Sequence, residues 1–234
     1  LGDVVAGGAA QGGAGHGADR RFLARQLAAF PDAIVPIWIE PEARETLAHY
    51  SERMAAAVNP RLSGPCVVAG VSLGGMVALE MARHLRAGSE RGARSIALIG
   101  SCRHPSAINA LLRCSERLAR PIPERILSWS LIGAPLVLGR GVKLPAEDRR
   151  LLVKMVRETP LSFVKWGARA ILEWPGHTDP SIPVRSIHGA RDWVILPSRA
   201  RPDVIVPGAP HVLNVSHPQE VNAFLRECLT AAEG

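Results

Sequence analysis

Apolar residues in this chain gather into short unbroken runs, separated by longer stretches where apolar and polar positions recur with helical spacing. The runs at 33–39, 66–71, 95–100, 184–188 and 203–206 read as strands, and 43–58, 74–86 and 218–231 as helices. Strands that are apolar throughout are covered on both faces, which requires helices above and below a parallel sheet. The expected class is α/β, a mostly parallel sheet with helices on both faces. From 103 to 175 the pattern changes to helical spacing broken by proline and glycine, with no strand. The expected organisation is a core of 1–102 and 176–234 with a helical insertion at 103–175.

The junction between the run at 66–71 and the following helix reads Gly70-Val71-Ser72-Leu73-Gly74. A strand that turns sharply into a helix brings two backbones close together, so side chains at 70 and 74 would crowd the turn. The serine between them is held exposed at the end of the sheet, above a helix N-terminus whose amides favour negative charge. Two further residues follow strands on the same edge. Asp192 lies just past 184–188, in Gly189-Ala190-Arg191-Asp192, and His211 lies past 203–206, in Pro207-Gly208-Ala209-Pro210-His211. Open α/β sheets place their sites at the C-terminal ends of their strands.

The three residue types belong together chemically. A serine hydroxyl needs a base to take its proton as it attacks, imidazole can take and return that proton near neutrality, and a carboxylate fixes the imidazole tautomer. Each also has a plain structural reading: a turn serine, a loop-capping aspartate, a buried loop histidine. Asp179 is the alternative acid, but it precedes its strand and so falls at the opposite edge. His49 and His84 fall in helices, His104 and His177 in loops, and His188 is expected to pack beneath the acid loop. No pair of histidines has metal-ligand spacing with a carboxylate nearby, so no metal is expected.

Composition narrows the partners. With 234 residues and 47% apolar content, the chain can bury a full core. Its net charge is +7, yet only three of the 28 basic residues are lysines and the arginines are scattered. Scattered charge with 4% aromatics offers neither a basic stripe nor stacking platforms, so nucleic acid is not an expected partner. Cys66, Cys102, Cys114 and Cys228 form no C-x-x-C pair, and a reduced, cytoplasmic setting is expected. The longest apolar run, near 131–138, contains Pro135 and is too short to cross a membrane, and no secretory signal is expected.

Taken together, Gly70-Val71-Ser72-Leu73-Gly74-Gly75-Met76, Ile187-His188-Gly189-Ala190-Arg191-Asp192 and Pro207-Gly208-Ala209-Pro210-His211 resemble the α/β-hydrolase superfamily. The resemblance covers nearly the whole chain and is nearest to small bacterial esterase- or thioesterase-like members. It implies Ser72 as nucleophile, Asp192 as acid and His211 as base. It also implies an oxyanion hole made by the amides of Leu73 and of His16, the latter in Gly15-His16-Gly17-Ala18-Asp19. The insertion at 103–175 corresponds to the lid of that fold. Trp129, Phe163, Trp166 and Trp174 are then candidates to line an acyl pocket, or else core residues. The glycine-rich start departs from the family pattern, and the N-terminal strands are reduced. The implied activity is serine-dependent cleavage of a small-molecule ester or thioester, with no cofactor. Two other readings use the same residues: a ligand-binding protein without turnover, and a lyase.

Overall fold

The computed structural model describes residues 3–7, 20–85, 92–119 and 144–233. Five strands, β1 (Asp3–Gly7), β2 (Cys66–Val71), β3 (Ala93–Ile99), β4 (Val184–Gly189) and β5 (Val204–Val206), form one sheet in the order β1-β2-β3-β4-β5. Every neighbouring pair is parallel, with Val5 opposite Val68, Val68 opposite Ile96, Ile96 opposite Val184, and Ile187 opposite Val204. Every residue of β2 is buried, as its unbroken apolar run requires.

Helices cover the sheet. Between β1 and β2 lie α1 (Ala24–Ala29) and α2 (Leu47–Val58), and α3 (Leu73–Met81) follows β2 directly. Further along come α4 (Ala110–Ala119), α5 (Ala146–Glu158) and α6 (Leu161–Glu173), all between β3 and β4. The short α7 (Pro197–Ala200) precedes β5, and α8 (Leu213–Ser216) and α9 (Pro218–Glu233) close the chain. Helix α3 packs on β1, β2 and β3, whereas α9 packs on β2, β3 and β4. Ala69 and Val71 face an apolar layer that includes Leu23, Phe30 and Leu225. Gly70, between them, turns to α3 by strand alternation. Among the described residues, no helix is long and apolar enough to cross a membrane.

The segment 33–39 is not the strand its apolar run suggests. Only Ile34 makes a bridge, although Ile34, Val35 and Trp38 are buried. Pro36 has no amide to give a ladder, and Pro31 and Pro41 bracket the segment, so beyond the bridge at Ile34 it is buried chain that forms no strand. Helix α2 starts four residues later than its periodicity implies. Arg44 has φ 59°, and the Thr46 hydroxyl accepts the His49 amide at 3.2 Å to cap the first turn.

Three of the pocket candidates are packing residues. Phe163 and Trp166 of α6 sit against Trp38 and Tyr50, with ring centroids 5.5 Å apart for Trp38–Phe163 and 4.3 Å for Tyr50–Trp166. The Trp166 ring N–H donates to the Glu45 carbonyl at 2.9 Å, and that of Trp174 donates to Glu80 Oε1 at 2.8 Å. The aromatics thus fasten α6 and its C-terminal end to α2 and α3, since buried indole N–H groups need acceptors. Trp129 lies outside the described residues.

The β2–α3 junction sets a sharp steric limit. A Cβ on Gly70 would stand 2.2 Å from the Gly74 carbonyl oxygen, whereas one on Gly64 would meet nothing within 4 Å. Gly70→Ala should therefore destabilise the protein by roughly 3 kcal/mol or more, because the obstacle is backbone that cannot swing aside. Gly64→Ala should stay within about 0.5 kcal/mol of wild type. Urea unfolding midpoints of the two variants check this.

Candidate active site

Strand β2 ends at Val71 and α3 begins at Leu73, so Ser72 alone makes the turn. Its backbone is at φ 54°, ψ −122°, a conformation that costs a non-glycine residue free energy and has to be imposed by its surroundings. The imposing contacts are visible. The Ser72 amide donates to Ile99 O at 3.0 Å, and its carbonyl accepts from Gly75 N at 3.0 Å and from the Ser101 hydroxyl at 2.7 Å. Ser101 can come this close because a Cβ on Gly75 would lie 2.5 Å from the Ser101 side chain. Ser72 occupies the cap position of α3, yet its hydroxyl makes no cap bond. It lies instead 2.9 Å from Nε2 of His211.

His211 is 6% exposed, and its Nδ1 lies 2.8 Å from Asp192 Oδ2. The carboxylate can only accept, so Nδ1 carries the proton and Nε2 presents its lone pair to the serine hydroxyl. Asp192 Oδ1 accepts the amides of Val194 and Ile195, both at 2.9 Å. Burial on its own would raise the Asp192 pKa. The charge His211 can carry, with hydrogen bonds from His188 and His211, outweighs it and holds the carboxyl well below the usual range. The three predicted residues, 139 positions apart at the extremes, thus form one hydrogen-bonded line at the C-terminal edge of the sheet. Such a line can move a proton from a hydroxyl to an imidazole while a fixed anion steadies the resulting cation.

Backbone bonds hold the two loops together: Ala190 N donates to Val206 O and Arg191 N to Ala209 O, each at 2.9 Å. The His211 loop is also tied to α1. Asn214 Nδ2 donates to Phe22 O at 2.9 Å, and Gln26 Nε2 donates to Asn214 O at 3.0 Å. These amide ties are absent from the sequence reading because Gln26 and Asn214 are 188 residues apart, with no local pattern linking them. The sequence reading also missed the polar role of His188. It is fully buried, and its Nε2 lies 3.2 Å from Asp192 Oδ2. The available signal was its place four residues before the acid at a strand end.

Leu73 opens α3, so its amide has no partner inside the helix, and its side chain lies against Gly167 of α6. His16, expected to supply the second amide, lies outside the described residues. Asp179 stands apart from this line. Its Oδ1 accepts from Ser181 N at 2.9 Å and its Oδ2 is 3.6 Å from Arg83. Glu42, Glu45 and His49 bring ligand atoms within 4.8 Å of one another. Arg53 lies among them, 2.9 Å from Glu45 and 3.4 Å from Glu42, which makes the group an ion-pair network around a buried carboxylate.

No family model matches the sequence, and a comparison with curated proteins finds no match. Solved structures do match. A malate-bound thermophilic esterase from Thermogutta terrifontis is 21% identical, with a TM-score of 0.67 over 99% of this chain and 90% of that one. A carboxylesterase of Nitrososphaera gargenis reaches a TM-score of 0.72 at 14% identity, over 99% of this chain and 90% of that one. BpoC of Mycobacterium tuberculosis H37Rv, named as a non-heme bromoperoxidase, reaches 0.71 at 16% identity, over 100% and 94%. With its parallel sheet, its covering helices and these structural neighbours, the chain has the α/β-hydrolase fold.

Proposed function

We propose that the protein is a serine hydrolase that cleaves a small-molecule carboxylic ester or thioester through an acyl-enzyme. The observation that carries this reading is the continuous line Ser72 Oγ–His211 Nε2 at 2.9 Å and His211 Nδ1–Asp192 Oδ2 at 2.8 Å, built on a strained turn. The fold likeness to an esterase and a carboxylesterase supports the same class. Residues 1–102 and 176–234 are the catalytic core in this reading, and 103–175 forms a lid whose α6 lies beside the elbow. We place the protein in the cytoplasm, in keeping with four free cysteines.

The steps follow from the geometry. Ser72 Oγ attacks the acyl carbonyl carbon as its proton passes to His211 Nε2. The carbonyl π pair moves to oxygen, and the oxyanion is held by the Leu73 amide, with the His16 amide as the proposed second donor. The tetrahedral intermediate collapses, the bond to the alkoxide or thiolate breaks, and the leaving group takes the proton from His211. Water then gives a proton to His211 and attacks the acyl-serine, and a second collapse releases the acid and restores Ser72. Throughout, Asp192 remains ionised and stabilises the imidazolium.

A fluorophosphonate probe should label Ser72, located by mass spectrometry, and labelling should vanish in Ser72→Ala and His211→Ala. Ser72→Ala should lower kcat on an activated ester by about 10⁴–10⁶. Absence of label on well-folded wild type, or equal turnover by Ser72→Ala, overturns the reading in favour of binding without turnover.

The rate should rise once with pH, through the neutral range where imidazoles titrate. The carboxylate is not the group behind that rise, because its pKa is depressed. The sign for stability is fixed by the same shift. Asp192 contributes stability above its unfolded pKa of about 3.9, and that contribution is lost as pH falls toward the lower folded value. Asp192→Asn should lower kcat by about 10⁴, and should flatten the loss of stability below about pH 4. A pH–rate profile and acid unfolding curves of the two proteins measure both.

A further inference from the structure

We propose that His188 is a positioning residue for the acid of this site, steering the Asp192 carboxylate toward His211 and moderating its pull on the protonated imidazole. This rests on reading Ser72, His211 and Asp192 as a catalytic triad.

The ring of His188 is fully buried at the end of β4, in register with Ile205. Its Nε2 is hydrogen-bonded to the Ile195 carbonyl at 3.2 Å and lies the same 3.2 Å from Asp192 Oδ2. Both neighbours are acceptors, so Nε2 carries a proton and the ring acts as a donor shared between them. Nδ1, on the far side of the ring, has no hydrogen-bond partner among the described residues. An apolar residue would fill this space without leaving a buried nitrogen unpaired, so the Nε2 proton is what the ring contributes.

That proton closes a ring of contacts. Asp192 Oδ1 accepts the Val194 and Ile195 amides, and the carbonyl of the same Ile195 accepts from His188. The strand end, the carboxylate and the loop at 194–195 are therefore one unit, and the carboxylate has little freedom to rotate away from His211. The electrostatic effect runs through Oδ2, which faces His211 Nδ1 at 2.8 Å and His188 Nε2 at 3.2 Å. Each N–H facing that oxygen draws on its negative charge. A second donor leaves less of that charge to act on the ring of His211.

Among the described residues, the titratable groups that interact with Asp192 include His188 from β4, His211 from the loop after β5, and Cys102 from the loop after β3, which feels its charge. The Cys102 thiol is pushed up to about 12, by burial first and also by the Asp192 charge, so it stays neutral in the range that matters. The Cys102 thiol therefore takes no part in the acid limb.

The test is kinetic, on an activated ester, with His188→Leu and His188→Gln. The glutamine amide reaches roughly as far as Nε2 and retains a donor. His188→Leu should lower kcat about ten- to a hundredfold with KM little changed, as for other residues that orient a catalytic ligand. Its acid limb in kcat/KM should move upward. His188→Gln should recover most of both effects. An unmoved acid limb in His188→Leu, whatever its rate or stability, overturns the proposal and leaves His188 as core filler. Should the leucine variant not fold, the wild-type protein still decides. The His188 ring proton, followed by NMR, should shift as His211 titrates, and indifference to that titration overturns the proposal. Failure of the triad reading is distinct, because wild-type Ser72 would then not take the fluorophosphonate label.

Discussion

A single residue joins β2 to α3, and the site depends on that economy of chain. Reversing direction within one residue forces Ser72 to positive φ and brings the backbones of Gly70 and Gly74 together with no room for a Cβ. The strain is borne by Ile99, Gly75 and Ser101, which grip the Ser72 amide and carbonyl and leave the hydroxyl free of local bonds. A relaxed loop would let that hydroxyl cap its own helix, as serines at helix starts do. The serine is available for chemistry because the turn denies it the ordinary use of its side chain.

The second constraint is electrostatic. Asp192 is 3% exposed, and a buried carboxylate stays ionised only when hydrogen bonds and opposite charge offset its lost hydration. Two backbone amides take one oxygen and two imidazoles face the other, which matches the roughly four acceptor positions of a carboxylate. The loop at 189–195 is thereby shaped around the anion. The amides of residues 190 and 191, bonded to Val206 and Ala209, carry that order on to the loop bearing His211.

Helix α6 links the insertion to the first of these constraints, the turn at Ser72. Its aromatic side chains pack onto Trp38 and Tyr50, its Gly167 lies against Leu73 at the elbow, and Trp174 just beyond it is anchored on Glu80 of α3. Glu80 is a buried carboxylate in an otherwise apolar helix, and the indole N–H together with Arg83 at 3.3 Å compensates it. The anchoring elements of α6 are aromatic because each supplies a large apolar area and, in tryptophan, one directed donor.

The sequence by itself determined the strands at 66–71, 95–100, 184–188 and 203–206, the turn at Ser72, and the placement of Asp192 and His211 past strand ends. These follow from local properties: unbroken apolar runs, glycines at a tight turn, and the edge at which a parallel strand delivers the next loop. Such properties act over a few residues and are written in neighbouring positions. The tertiary structure alone decided the rest. It left 33–39 with a single bridge at Ile34 in place of a strand, because prolines without amides override an apolar run. It sent Phe163, Trp166 and Trp174 into packing, because only the position of α6 over α2 and α3 says which side of an aromatic is covered. It set His188 against Asp192 and tied Asn214 to Phe22 and Gln26, contacts between side chains whose directions depend on the assembled sheet. Hydrogen bonds of this kind join residues distant in the chain or side chains turned by a loop, and no periodicity encodes them.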